Sequence, residues 1–200
     1  MTSIITGDII NSKETNPEKW LKSLKDELRN YGNEPAQWEI YRGDSFQLEI
    51  APEKALKACI NIKATIKQFK NLDVRLAIGI GDKTYKSDKI TESNGSAFVN
   101  SGECFEQLKK STLAIQSPFN VFDNQINIML DLAALTMNSW KPTTSKTIKI
   151  AIENPELNQI QLAKLLGKTQ SNISESLKRA GYDEISKLLH YYKTQIQSLC

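Results

Sequence analysis

The chain has 200 residues, 40% of them hydrophobic and 24% charged, enough for one large core or two small ones. No apolar run reaches the length of a membrane span. The start, Met1-Thr2-Ser3-Ile4-Ile5-Thr6-Gly7-Asp8, lacks a basic flank and a signal-peptide core, so no membrane partner and residence in the cytoplasm are expected. The net charge of +3 is uneven: residues 1–140 carry 17 Lys/Arg against 18 Asp/Glu, and residues 141–200 carry 9 against 5, an excess that fits a nucleic-acid-facing module.

Residues 3–10 read as a buried strand. From Pro17 to Tyr31, Trp20, Leu21, Leu24 and Leu28 recur at helical spacing, and Gly32 ends the run. Gln37–Tyr41 and Phe46–Ile50 are β-type runs joined by Arg42-Gly43-Asp44-Ser45, a hairpin pattern. Pro52 opens a second helix whose apolar side is Leu56, Cys59, Ile60, Ile62, Ile66 and Phe69. Asp73–Ile80 is strand-like by its β-branched content and alternation. This order, β-α-β-β-α-β, is the split pattern of a ferredoxin-like antiparallel sheet. A polar stretch at 82–95, a helix at about 96–110, a strand near 113–116 and an amphipathic helix from Phe122 to Trp140 follow. Lys141-Pro142-Thr143-Thr144 is the linker candidate. The expected fold is α/β (α+β): a ferredoxin-like domain at 1–140 and a small all-α domain at 141–200.

Within the second part, residues 159–180 carry the offsets of two short helices sharing a tight turn. Ala163 is small where the helices cross, Gly167 can take positive φ, and Thr169 can cap the second helix. Leu162, Leu166, Ile173 and Leu177 form the apolar seam, with flanking helices at about 145–153 and 183–197. Gln170, Ser171, Asn172, Ser174, Glu175, Lys178 and Arg179 are left facing outward, suited to base edges or phosphates in a major groove, and Lys164 and Lys168 are placed for phosphates. The module resembles the helix-turn-helix of bacterial regulators, which implies double-stranded DNA as partner and a homodimer. A plain αα-hairpin is the competing reading.

Three cysteines (Cys59, Cys104, Cys200), a single His190 and no CxxC give no basis for a disulfide framework or a zinc site. In a split βαβ sheet, however, the end of the first strand lies beside the hairpin of the second and third. Asp8 and Asp44 should therefore meet at one sheet end, where a hard cation such as Mg²⁺ or Mn²⁺ would relieve their repulsion. Backbone N–H groups of the turn Ile9-Ile10-Asn11-Ser12 offer a place for a phosphate group.

Four segments occur in order: Gly7-Asp8-Ile9-Ile10, Tyr41-Arg42-Gly43-Asp44-Ser45-Phe46, Val74-Arg75-Leu76-Ala77-Ile78-Gly79-Ile80-Gly81, and Asn94-Gly95-Ser96-Ala97-Phe98-Val99-Asn100. Together they resemble class III nucleotide cyclase catalytic domains. The resemblance implies metal ligation by Asp8, Asp44 and the carbonyl of Ile9, and a nucleotide contact from Asn100. The transition-state Arg of that family projects onto Cys104, and its base-reading Lys onto Ile40, so both are missing here. Asn11 and Ser12 of the turn, and Arg42, which is near enough in sequence to replace the missing transition-state cation, are the other nucleotide-binding candidates. With Glu92-Ser93-Asn94-Gly95 and Leu177-Lys178-Arg179-Ala180-Gly181-Tyr182-Asp183, the whole chain is similar to the bacterial SatD family. The expected function is a DNA-binding transcriptional regulator whose first part senses a nucleotide or mediates dimerisation. The alternative is a metal-dependent nucleotide cyclase or nucleotidyltransferase with an accessory tail, and a bare interaction protein is a third class.

Overall fold

Strand β1 (Thr2–Ile10) lies at the centre of the sheet, because Ile5 and Ile9 are buried on one face while Ile4 and Thr6 are buried on the other. Gly7 sits between them for a steric reason: the Phe46 ring lies where a Cβ would stand. The computed structural model describes residues 1–200. Strands β2 (Trp38–Tyr41) and β3 (Ser45–Ile50) form a hairpin, and Arg42 and Gly43 at its tip both have positive φ. β3 and β4 (Asp73–Gly81) flank β1, both antiparallel to it. β5 (Leu113–Gln116) then adds parallel to β4, giving a five-stranded mixed sheet in the order β2-β3-β1-β4-β5.

Helices α1 (Pro17–Arg29) and α2 (Pro52–Ile66) cover the face carrying Ile5, Phe46, Leu48, Leu76 and Ile78. Each begins with proline at its first turn, where the missing N–H costs nothing. The opposite face is covered over β4 by α3 (Ser96–Gln107), which approaches so closely that a Cβ on Gly79 would overlap the backbone of Ala97 and Ser101. Helices α4 (Asn120–Met137), α5 (Pro142–Glu153), α6 (Gln159–Leu166), α7 (Gln170–Ala180) and α8 (Tyr182–Leu199) complete the chain. The protein is therefore α+β, and no helix is long and apolar enough to cross a membrane.

The segment Lys141-Pro142-Thr143-Thr144, expected to be a linker, is instead the start of α5, with Pro142 in its first turn. The main hydrophobic core crosses this point. Ile148, Ile152, Ala180, Ile185, Leu188, Tyr192 and Ile196 share one cluster with the side chains of the sheet. Polar ties reinforce it: the Tyr192 hydroxyl donates to the Pro52 carbonyl at 2.8 Å, and the Trp140 indole N–H donates to the Ala180 carbonyl at 3.1 Å. Lys149 of α5 is ion-paired with Glu27, a buried carboxylate on α1.

Candidate functional site

The sheet end reached by Asp8 is built as a cross-strand row. Tyr41 pairs with Ser45, Ser45 with Asp8, and Asp8 with Arg75, so four polar side chains from β2, β3, β1 and β4 share one face. Asp44 is next to this row, since the Ile9 N–H donates to its carbonyl at 3.1 Å. Asp8 on β1 and Asp44 in the turn before β3 are thus neighbours along the backbone, and each carboxylate has a partner from the protein. Arg75 donates to Asp8 Oδ2 at 2.5 Å, with its guanidinium 5.1 Å from the centre of the Phe105 ring. The Ser12 hydroxyl donates to Asp44 Oδ2 at 2.6 Å. Burial raises the Tyr41 phenol above its ordinary value; Arg42 opposes that rise and Asp8 adds to it.

In this arrangement a Mg²⁺ or Mn²⁺ ion would have to displace the protein partners of both carboxylates. A guanidinium already neutralises Asp8, and no third Asp, Glu, His or Cys joins the pair to make a ligand set. Ile9 contributes a side chain to the main core. The turn expected to begin at Ile9 starts later, because β1 runs through Ile10. Asn11 takes a left-handed conformation and donates to the Asn71 carbonyl at 3.0 Å, and Ser12–Glu14 form a single 3₁₀ turn before α1. The N-terminal N–H of Glu18 in α1 is satisfied by the Asn16 side chain.

The other nucleotide candidates are dispersed. Arg42 is exposed at the hairpin tip. Asn100 lies on α3 and donates to the Ile80 carbonyl at 2.7 Å. Ile80 is five residues along β4 from Arg75, about 16 Å away at roughly 3.3 Å per residue. Cys104 is buried against Ala77 and Leu108, and burial pushes its thiol up to about 12. It offers no positive charge in place of the absent arginine. Arg75 and Tyr41 fall within the family-like segments, but the motifs give neither a role. The pairing of Arg75 with Asp8 rests on the register of β1 against β4, which the motifs do not carry.

At the other end of the chain, α6 begins with a reciprocal cap: Asn158 accepts from the Ile160 and Gln161 N–H groups, and the Gln161 side chain accepts from the Asn158 N–H. Gly167 ends α6 at φ 62°, Thr169 caps α7 through the Asn172 N–H, and the Lys168 N–H returns to the Ala163 carbonyl at 2.9 Å. Ala163, Leu162, Ile173 and Leu177 pack with Ala151 of α5 in a small second core, with Leu166 at its margin.

The outward face of α7 carries Ser171, Asn172, Glu175, Lys178 and Arg179. Arg179 pairs with Glu175 at 3.2 Å, both exposed. Gln170 donates to the Gln159 side chain at 2.8 Å, and Lys168 is half-buried and donates to the Thr147 hydroxyl at 3.3 Å. Ser174 is also half-buried, in a groove between α4, α7 and α8. Of the expected DNA contacts, Ser171, Asn172, Lys178 and Arg179 form one exposed surface, with Gln170, Lys168 and Ser174 at its margins.

No protein-family model matches the chain, and the search of characterised proteins finds no match.

Proposed function

We propose that the protein is a DNA-binding transcriptional regulator in which α6 and α7 act as a helix-turn-helix and α7 enters the major groove. The observation that carries this reading is the junction itself: a left-handed Gly167, a small buried Ala163 at the crossing and a Thr169 cap leave α7 with an uninterrupted polar outer face. Ser171 and Asn172 at its start are suited to base edges, and Lys178 and Arg179 to phosphates. The β2-β3-β1-β4 portion has the strand order of a ferredoxin-like sheet and serves as the sensing or dimerising part. Two-fold binding by a homodimer fits a module whose basic excess is small.

The test is fluorescence anisotropy with a pool of random-sequence duplexes at 50 and 200 mM salt. Binding should weaken with salt. Lys178→Ala with Arg179→Ala should lower affinity and reduce the slope of log K against log salt by about 0.9 for each phosphate no longer neutralised. Unchanged affinity and slope in the double variant would remove α7 from the interface.

The adjacency of Asp8 and Asp44 favours a second reading, metal-dependent chemistry on a nucleotide with Mg²⁺ or Mn²⁺. It requires Arg75 to release Asp8. The assay incubates the protein with the four nucleoside triphosphates and either ion, then identifies products by mass spectrometry. A product lost in both Asp8→Asn and Asp44→Asn would establish it, whereas a product retained in Asp8→Asn, or none from folded protein, would dismiss it.

A further inference from the structure

A cleft of about 960 Å³ lies between α2 and α8, with the turn after α1 and the end of α5 as its other sides. Sites for small molecules typically measure about 300–1,000 Å³. Buried Asn61 lines this cleft with its amide half satisfied: Nδ2 donates to the Tyr31 hydroxyl at 3.3 Å, whereas Oδ1 has no hydrogen-bond partner. Tyr31 cannot supply one, because its own proton goes to Glu27 at 2.5 Å. A buried acceptor left unpaired is costly, so what the cleft lacks is a donor. The charges of the cleft are sorted. Beside Asn61, Lys149 bridges Glu27 and Glu153, two carboxylates to one ammonium. Toward the start of α2, exposed Lys54 and Lys57 have no ion-pair partner within the chain. Lys193, also exposed and unpaired, is at the same end, because its neighbour Tyr192 is bonded to the Pro52 carbonyl. Glu53 is the one unpaired carboxylate among these three lysines.

We infer that the cleft binds a phosphorylated small molecule whose far end is an N–H-bearing ring, the chemistry of a nucleoside monophosphate. The ring donates to Asn61 Oδ1, and the phosphate sits among Lys54, Lys57 and Lys193. Span selects this class. Lys57 and Lys54 precede Asn61 on α2 by about 6 Å and about 10 Å along the helix axis. Inorganic phosphate has no N–H, and an amino acid carries its N–H and its anion one carbon apart, so neither serves both ends. A nucleotide holds them at opposite ends of a sugar. The walls between the two ends, Ala58, Ile152, Leu189 and the half-buried ring of Tyr182, suit a flat apolar face. Asp8, Asp44, Arg42 and Asn100 are not among the lining residues, so this is a different place from the sheet end. The lining comes from α2, which covers the sheet, and from α5 and α8, which flank the helix-turn-helix. As a sensor the site rests on the regulator reading, but its binding is tested without DNA, so the two stand or fall separately.

The experiment is isothermal titration calorimetry of the full chain in EDTA, with each of the four nucleoside 5′-monophosphates and with ribose 5-phosphate, which has the anion but no ring. At least one nucleotide should bind with a Kd below about 1 mM, and about ten-fold or more tighter than ribose 5-phosphate. Asn61→Ala, and separately Lys54→Ala with Lys57→Ala, should each weaken that binding by about ten-fold or more. Lys22→Ala, exposed on α1 outside the cleft, should leave it unchanged. No nucleotide binding by folded protein would overturn the inference. So would binding that survives either Asn61→Ala or the lysine pair, that falls equally with Lys22→Ala, or that ribose 5-phosphate matches. If Asn61→Ala is unfolded by circular dichroism, Asn61→Leu, which fills the space without an acceptor, takes its place with the same expected outcome.

Discussion

Replacing Asp73 with Asn would leave two buried ammonium groups without a counter-charge. Asp73 opens β4 and receives Lys63 at 2.6 Å and Lys67 at 2.9 Å, and the Lys63 side chain has no exposed surface at all. Lys67 also donates to the Asn138 carbonyl, and Lys63 to the Thr112 hydroxyl, so the cluster joins α2, β4 and the end of α4. Removing one partner of a buried pair typically costs about 3–5 kcal/mol. Asn keeps one oxygen acceptor and Asp73 is partly exposed, which puts the expected loss near the lower figure, at about 3 kcal/mol. The loss should depend on pH. Burial lowers the Lys63 ammonium below its ordinary 10.5, with Asp73 working against that shift, so the variant deepens the depression. Between a lowered folded value and 10.5, the unfolded chain holds more protons than the folded one, and stability rises with pH. The penalty is therefore largest below the lowered folded value and shrinks as pH rises toward 10. Urea unfolding followed by circular dichroism at pH 7 and pH 9.5 measures both effects. A loss below about 1 kcal/mol at pH 7, or a penalty that grows with pH, would refute the electrostatic account.

Glu175→Gln should tighten binding to duplex DNA and steepen its salt dependence, because it frees Arg179 and removes an anion from the outer face of α7; anisotropy at two salt concentrations reads both. Asn158→Ala should cost about 1 kcal/mol in thermal or urea unfolding by removing the reciprocal cap of α6. Of the three thiols, only exposed Cys200 should react promptly with an aromatic disulfide at pH 8. Burial raises both Cys59 and Cys104, which should react only when urea is added.

The periodic elements are legible because each is amphipathic and punctuated. Pro17, Pro52 and Gly167 mark helix ends for stereochemical reasons, and the alternation in Phe46–Ile50 is that of a strand with one buried face. The topology that sets the turn of Asp44 beside the strand of Asp8 is legible in the order of elements. What the sequence pattern does not disclose is what neutralises them. An ion pair such as Asp8–Arg75 depends on cross-strand register between residues 67 positions apart. Asn100 is suggested by motif order, and order does not encode distance along β4. The boundary expected at 141–144 fails because Pro-Thr-Thr carries the same signal at a helix start as in a linker.

The bond from Tyr192 to Pro52 spans 140 positions, and α8 closes the core over a helix that formed far upstream. During synthesis, the part of α2 that packs on α8 therefore stays uncovered until residues near 196 have left the ribosome. Contacts of such long range form late and slowly. The helix that closes the core follows α7 directly, so α7 and the closing contacts of the core are completed in the same late step.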